Sequence, residues 1–256
     1  MKKVEPAQKE RLFGLIGYPL SHSFSKKYFT QKFESEGISG CRYELFPLEN
    51  LDDLPDLWRR FPGWAGMNVT IPYKEKVMAF LDELDPEAEA VGAVNTIRFL
   101  DGKKRGFNTD IFGFEHTLKA FLGDSLPEHA LVLGTGGASK AVAFVLKKLG
   151  ISFQKVSRRP APDRLTYADL TPECIEKHHL IINTTPLGTA PRTENAPPIP
   201  YEALTNAHFL YDLVYNPEKT LFLARGESRR AKTCNGLKML YLQAERAWEI
   251  WNQNTS

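Results

Sequence analysis

Short apolar runs alternate with amphipathic stretches along the 256 residues of the chain. Arg11–Tyr18 (RLFGLIGY) predicts a strand, and a helix follows near Ser25–Glu36. Arg42–Leu48 and Ala65–Val69 predict two more strands, with a helix at Asn50–Arg60 between them and another at Tyr73–Leu81 beyond Pro72. Ala93–Phe99 and Lys104–Phe107 flank Asp101-Gly102, a two-residue hairpin signal. This part of the chain predicts a mixed α/β unit with an antiparallel edge.

The pattern then becomes more regular. A helix at Asp110–Leu122 precedes His129–Leu133 (HALVL), a short, mostly apolar run of the kind buried in a parallel sheet. A glycine-rich turn opens a helix at Ala138–Leu149, and strands are predicted at Ile151–Ser157, Leu180–Asn183, His208–Val214 and Lys232–Cys234. Pro186, Pro191, Pro197, Pro198 and Pro200 fall in one loop, expected to be exposed. An amphipathic helix at Leu237–Trp251 closes the pattern. Strand–helix alternation of this kind predicts a doubly wound parallel sheet.

Composition enters mainly by exclusion. Lys plus Arg number 33 against 31 Asp plus Glu, a net charge of +2, which gives no pull toward nucleic acid or an anionic membrane. No apolar stretch approaches the roughly 18 residues of a membrane helix. The opening MKKVEPAQKERLFG lacks the apolar core of a signal peptide, so a cytoplasmic protein is expected. Cys41, Cys174 and Cys234 are far apart and odd in number, which predicts buried free thiols. His178 and His179 are adjacent, so their side chains point to different sides; no metal site is expected.

The chemistry-bearing motifs lie at the ends of these elements. Gly134-Thr135-Gly136-Gly137-Ala138-Ser139 follows a strand and opens a helix, the setting of a dinucleotide site. The next strand ends Lys155-Val156-Ser157-Arg158-Arg159, without the acid that accepts from an NAD ribose. Its two guanidiniums suit a 2′-phosphate, hence NADP. Ser21 and Ser23 share a face in an extended segment and suit a carboxylate or hydroxyl, with helix capping as the bland reading. Asn68 and Thr70 share another face, and Lys74 stands at the start of a predicted helix, where the dipole disfavours it. Asn95 and Asp110 lie in Gly92–Thr96 and Gly106–Asp110; for Asp110, helix capping is again the bland reading.

Taken in order, GYPLSHSFS (Gly17–Ser25), NVTIPYK (Asn68–Lys74), GAVNT (Gly92–Thr96), GFNTD (Gly106–Asp110), GTGGASKA (Gly134–Ala141), INTTPLG (Ile182–Gly188), YDLVYNP (Tyr211–Pro217) and NGLKMLYLQ (Asn235–Gln243) resemble shikimate dehydrogenase. The resemblance implies an N-terminal α/β substrate domain over residues 1–108, completed by the C-terminal helix 237–256. It implies a Rossmann-type NADP domain over 109–236, with a cleft between the two. The implied reaction is the reversible NADP-dependent reduction of 3-dehydroshikimate to shikimate, on the route to chorismate and the aromatic amino acids. Lys74 and Asp110 would then be the catalytic pair. Ser21 and Ser23 would hold the substrate carboxylate, and Asn68, Thr70, Asn95, Tyr215 and Gln243 would bind its hydroxyls. Gly134, Gly136, Gly137, Ala138, Ser157, Arg158, Arg159, Thr184, Leu213 and Gly236 would bind NADP. The protein would act as a monomer or homodimer. The chain departs from the family pattern at Lys26, usually proline, at Ser157-Arg158-Arg159, and at Lys238, where a small residue is common. Two alternatives stay open from sequence: a dehydrogenase preferring quinate, or a non-catalytic nucleotide-sensing module on the same fold.

Overall fold

The computed structural model describes residues 10–20 and 23–253. Two compact units divide the chain, Met1–Thr109 with Ala244–Ser256, and Asp110–Gln243.

The first unit contains strands β1 (Arg11–Gly17), β2 (Cys41–Pro47), β3 (Trp64–Val69), β4 (Glu83–Leu84), β5 (Thr96–Leu100) and β6 (Lys103–Phe107). They form one sheet in the order β2-β1-β3-β5-β6-β4, parallel around β1 and antiparallel across β3, β5 and β6. Its helices are α1 (Phe24–Ser35), α2 (Leu54–Arg60) and α3 (Pro86–Val91). The hairpin forms as expected: Asp101 and Gly102 take φ values of 50° and 78° between Leu100 and Lys103, the left-handed pair that matches strand twist. One face of the sheet packs Ile16, Met67, Val69, Tyr73, Val77 and Ile97. The other packs Phe13, Phe29, Phe33 and Tyr43 against Ala247, Ile250 and Trp251 of the last helix.

Two predicted helices of this unit are different. Asn50–Arg60 begins as a 3-10 turn at Leu51–Asp53, because the Asn50 side chain accepts from Asp52 N–H and tightens the entry. Tyr73–Leu81 holds only a 3-10 segment, Lys76–Phe80. The Lys74 carbonyl accepts from Val94 N–H at 2.7 Å instead of from Met78, whose N–H turns to Glu75. Lys74 therefore stands in a turn, and no α-helix dipole opposes its charge.

The second unit contains β7 (His129–Leu133), β8 (Ser152–Ser157), β9 (Arg164–Thr166), β10 (Leu180–Asn183), β11 (Phe209–Asp212) and β12 (Lys232–Cys234). All pair in parallel in the order β12-β11-β10-β7-β8-β9, the doubly wound arrangement that reverses between β7 and β10. Between the strands run α5 (Gly137–Lys148), α6 (Pro172–Lys177) and α7 (Leu221–Ser228). The chain passes between the units inside α4 (Thr109–Leu122) and again inside α8 (Leu237–Asn252). The proline-rich loop is only partly exposed: Pro186, Pro191 and Pro198 are, but Pro197 and Ile199 are buried, and Ile199 joins Leu131, Ile181 and Leu210 in the core. The three thiols are half-buried rather than buried; partial desolvation pushes each pKa up.

Candidate active site

In the second unit the carboxyl ends of β7 and β10 flank the switch point, where doubly wound sheets bind ligands, with β11 next to β10. Gly134 leaves β7 with φ at 115°, a conformation that side chains rarely take, and a Cβ there would lie 2.5 Å from Thr184 Oγ1. The Thr184 hydroxyl donates to Leu133 O at 2.7 Å, tying the end of β10 to the end of β7. Gly136 precedes α5 with no side chain capping the helix, and a Cβ on it would meet nothing within 4 Å. That is open space beside the positive end of a 12-residue helix, which suits a pyrophosphate. Gly137 and Ala138 open the helix, and the Ser139 hydroxyl folds back onto Gly136 O at 2.6 Å.

At the end of β8, Ser157 Oγ accepts from Arg159 N–H at 3.2 Å, and Arg158 and Arg159 are both exposed to solvent. Two exposed guanidiniums beside the glycine-rich loop fit a phosphate on the adenosine ribose. Leu213 N–H donates to Asn183 O at 2.9 Å, and Gly236 lies so close to the Leu213 carbonyl that a Cβ would come within 2.2 Å. Tyr215 follows, its phenol pushed up in pKa by burial. Gln243 in α8 turns its amide onto Leu240 O. Asp110, also in this unit, is buried in the first turn of α4 rather than ahead of it, so it is not the preceding cap that the bland reading required.

The first unit gathers a different set. Asn68, at the end of β3, is buried and its amide is fixed at both ends. Tyr43 Oη donates to its Oδ1 at 2.8 Å, while its Nδ2 donates to Asn95 O and Thr96 Oγ1 at 3.3 and 3.2 Å. Asn95 is held in turn by Thr109, whose N–H donates to Asn95 Oδ1 at 2.7 Å. Thr70 N–H continues the pairing to Ile16 O, one residue short of Gly17. Ser23 stands at the N-cap of α1 yet makes no capping bond. Its Oγ is buried with no hydrogen-bond partner among the described residues, a state that an incoming acceptor or donor would relieve. Ser21 lies outside the described residues. Among those residues, no group of three or more His, Cys, Asp or Glu could hold a metal ion, and no helix is long and apolar enough to cross a membrane.

A sequence profile of the shikimate dehydrogenase substrate binding domain matches residues 15–97. The NADP(+) shikimate dehydrogenase of Methanococcus maripaludis is 38% identical, the match covering 95% of this chain and 92% of that protein. The chain belongs to the shikimate dehydrogenase family. Solved shikimate dehydrogenases share its architecture. The Thermus thermophilus enzyme in complex with NADP(H) and shikimate is 33% identical, with a TM-score of 0.81 over 94% of this chain and 93% of that one. A chorismate mutase/shikimate 5-dehydrogenase fusion from Clostridium acetobutylicum is 35% identical, with a TM-score of 0.84 over 96% and 92%. The substrate-domain match spans β1 to β5, the stretch that carries Ser23, Asn68, Thr70, Lys74 and Asn95. Sequence reasoning passes over Tyr43 and Thr109, which orient Asn68 and Asn95. Thr109 lies inside the GFNTD motif; Tyr43 sits in an ordinary strand pattern and carries no signal.

Proposed function

We propose that this chain catalyses the reversible NADP-dependent interconversion of 3-dehydroshikimate and shikimate, a step toward chorismate and the aromatic amino acids. It would do so in the cytoplasm as a monomer or homodimer. The observation that carries the reading is 37–38% identity, over 94–95% of the chain, to NADP(+) shikimate dehydrogenases. The basic, acid-free end of β8 supports the choice of NADP over NAD.

NADP(H), when bound, supplies or accepts the hydride. The glycine loop of Gly134, Gly136, Gly137 and Ala138 holds the pyrophosphate, and Ser157, Arg158 and Arg159 the 2′-phosphate, with Thr184, Leu213 and Gly236 completing the cofactor set. Ser21 and Ser23 hold the substrate carboxylate; Asn68, Thr70, Asn95, Tyr215 and Gln243 bind its hydroxyls. An alcohol oxidised by hydride loss must also lose its O–H proton. Lys74 relays that proton and stabilises the developing oxyanion, and Asp110 orients the hydroxyl.

The test is cofactor reduction by the purified chain with shikimate or quinate, each with NADP and NAD. Turnover is expected to be greatest for shikimate with NADP. Absence of shikimate turnover would refute the assignment.

A further inference from the structure

Asp212 ends β11 with its carboxylate fully buried (0% exposed), and nothing above gives it a role. Three donors from three segments converge on it. Asn183 Nδ2, at the end of β10, donates to Oδ1 at 2.9 Å, and Val214 N–H donates to the same oxygen at 3.0 Å. The Thr220 hydroxyl donates to Oδ2 at 2.6 Å, while Thr220 Oγ1 caps α7 by accepting from Leu223 N–H. The network continues outward. Asn183 Oδ1 accepts from Thr185 N–H and, at 2.6 Å, from the Thr185 hydroxyl, and Asn183 O accepts from Leu213 N–H. Flanked by Asn183 and Thr185, Thr184 donates to Leu133 O, one residue before Gly134. The loops after β10 and β11 are thus bonded to one carboxylate through Asn183 and Val214, and the start of the glycine loop is tied to the same network through Thr184, the chain neighbour of Asn183.

We propose that Asp212 is the positioning residue of the cofactor site, a buried anchor that holds Thr184 and Leu213 in the register NADP requires. It touches neither cofactor nor substrate. It acts by fixing backbone whose own groups make those contacts, the role that a supporting shell plays in a preorganised site. A carboxylate suits the task because it is an acceptor only, able to take all three donors at once. The inference rests on the NADP reading above.

The experiment measures NADPH binding by fluorescence titration, KM and kcat, and thermal unfolding, on the full chain and three variants. Asp212→Ala leaves three buried donors without an acceptor and is expected to weaken NADPH binding by about tenfold or more. Asp212→Asn keeps the shape and the Oδ1 acceptor for Asn183 and Val214, and its Nδ2 would face Thr220 Oγ1 as a donor, reversing that one bond. Two of the three anchoring bonds survive, so binding within about threefold of the unaltered chain is expected. Thr220→Val removes one arm, and KM for NADP is expected to rise with kcat little changed. If Asp212→Ala does not fold, Thr220→Val and Asp212→Asn carry the test alone. Folded Asp212→Ala that binds NADPH as the unaltered chain does would overturn the inference. So would Asp212→Asn binding as weakly as the alanine variant, or Thr220→Val with an unchanged KM for NADP. Failure of the unaltered chain to bind NADPH would overturn the proposed cofactor, and the inference with it.

Discussion

The indole of Trp251 lies directly over Gly66, so closely that a Cβ on residue 66 would come within 2.4 Å of its ring. Its Nε1–H donates to Ile97 O at 3.0 Å, so the ring is held on two strands of the first sheet. Gly66→Ala is therefore expected to destabilise the fold by about 1–3 kcal/mol through overpacking, since a packed ring cannot swing aside as a chain end can. Trp251→Ala, which leaves a cavity against Phe13 and Phe29, is expected to cost about 3–5 kcal/mol. Urea unfolding checks both, and an unchanged midpoint in either would contradict the packing.

The two loop glycines should separate stability from binding. Gly134→Ala imposes a side chain on a φ of 115° and on Thr184, so both melting temperature and NADP affinity are expected to fall. Gly136→Ala adds its methyl to open space, and stability is expected to stay within about 0.5 kcal/mol. Its KM for NADP should nonetheless rise, because the methyl occupies the approach to the pyrophosphate. Unfolding scans run beside the kinetics decide it: an unaffected KM would move the pyrophosphate elsewhere.

Arg158 tests the choice of cofactor. A charge-assisted phosphate contact contributes roughly 1.5–3 kcal/mol, or about 10- to 100-fold in affinity. Arg158→Ala is expected to raise KM for NADP by that order and to leave KM for NAD nearly unchanged. Equal loss with both cofactors would show that the arginine does not read the 2′-phosphate.

Lys74 and Asp110 test the chemical step. Loss of a positioned proton-transfer group costs about 10²- to 10⁴-fold in rate. Lys74→Ala and Asp110→Asn are each expected to lower kcat by that order, with shikimate binding changed much less. If the two serve one proton, the double variant should be scarcely worse than the poorer single one. Fully additive losses in steady-state kcat would show independent action.

Acid titration should reveal Asp212. Burial pushes its carboxyl up to about 6, from a usual value of about 4. Between those values the folded chain keeps a proton that the unfolded chain has released, so stability falls as pH rises from about 4 to 6 and is level above, by about 3 kcal/mol at most. Burial lowers His178 and His208, which act in the opposite sense, their stability being lost as pH falls below about 6.5. Asp212→Asn removes the first effect and leaves the second. The difference in urea midpoint between the unaltered chain and Asp212→Asn is therefore expected to slope through pH 4–6; a flat difference would refute the shifted carboxyl.

The parts of the fold that sequence reads correctly are those whose signal is local. HALVL followed by glycines, and Asp101-Gly102 between two strands, carry their conformation in a few adjacent residues. The α-helix expected over Tyr73–Leu81 does not form because its outcome depends on a distant partner, Val94, which takes the Lys74 carbonyl. Short elements such as β9 and α6 are too brief to show a period. The site divides the same way. Its motif residues are visible as strings, but the bonds that orient them, Tyr43 to Asn68 and Thr220 to Asp212, join positions 25 and 8 apart that share no motif.

The first unit takes its last contribution from Ala244 onward, whereas the second is one unbroken stretch, Asp110–Gln243. This bears on the order of events at the ribosome. The second unit has all of its chain available before the first can close. Until α8 has been synthesised, Phe13, Phe29, Phe33 and Tyr43 have no Ala247, Ile250 or Trp251 to cover them. With α1 already supplying Phe29 and Phe33, the aromatic cluster stays open on the side that α8 covers until then, an exposed apolar surface of the kind through which partly folded chains aggregate.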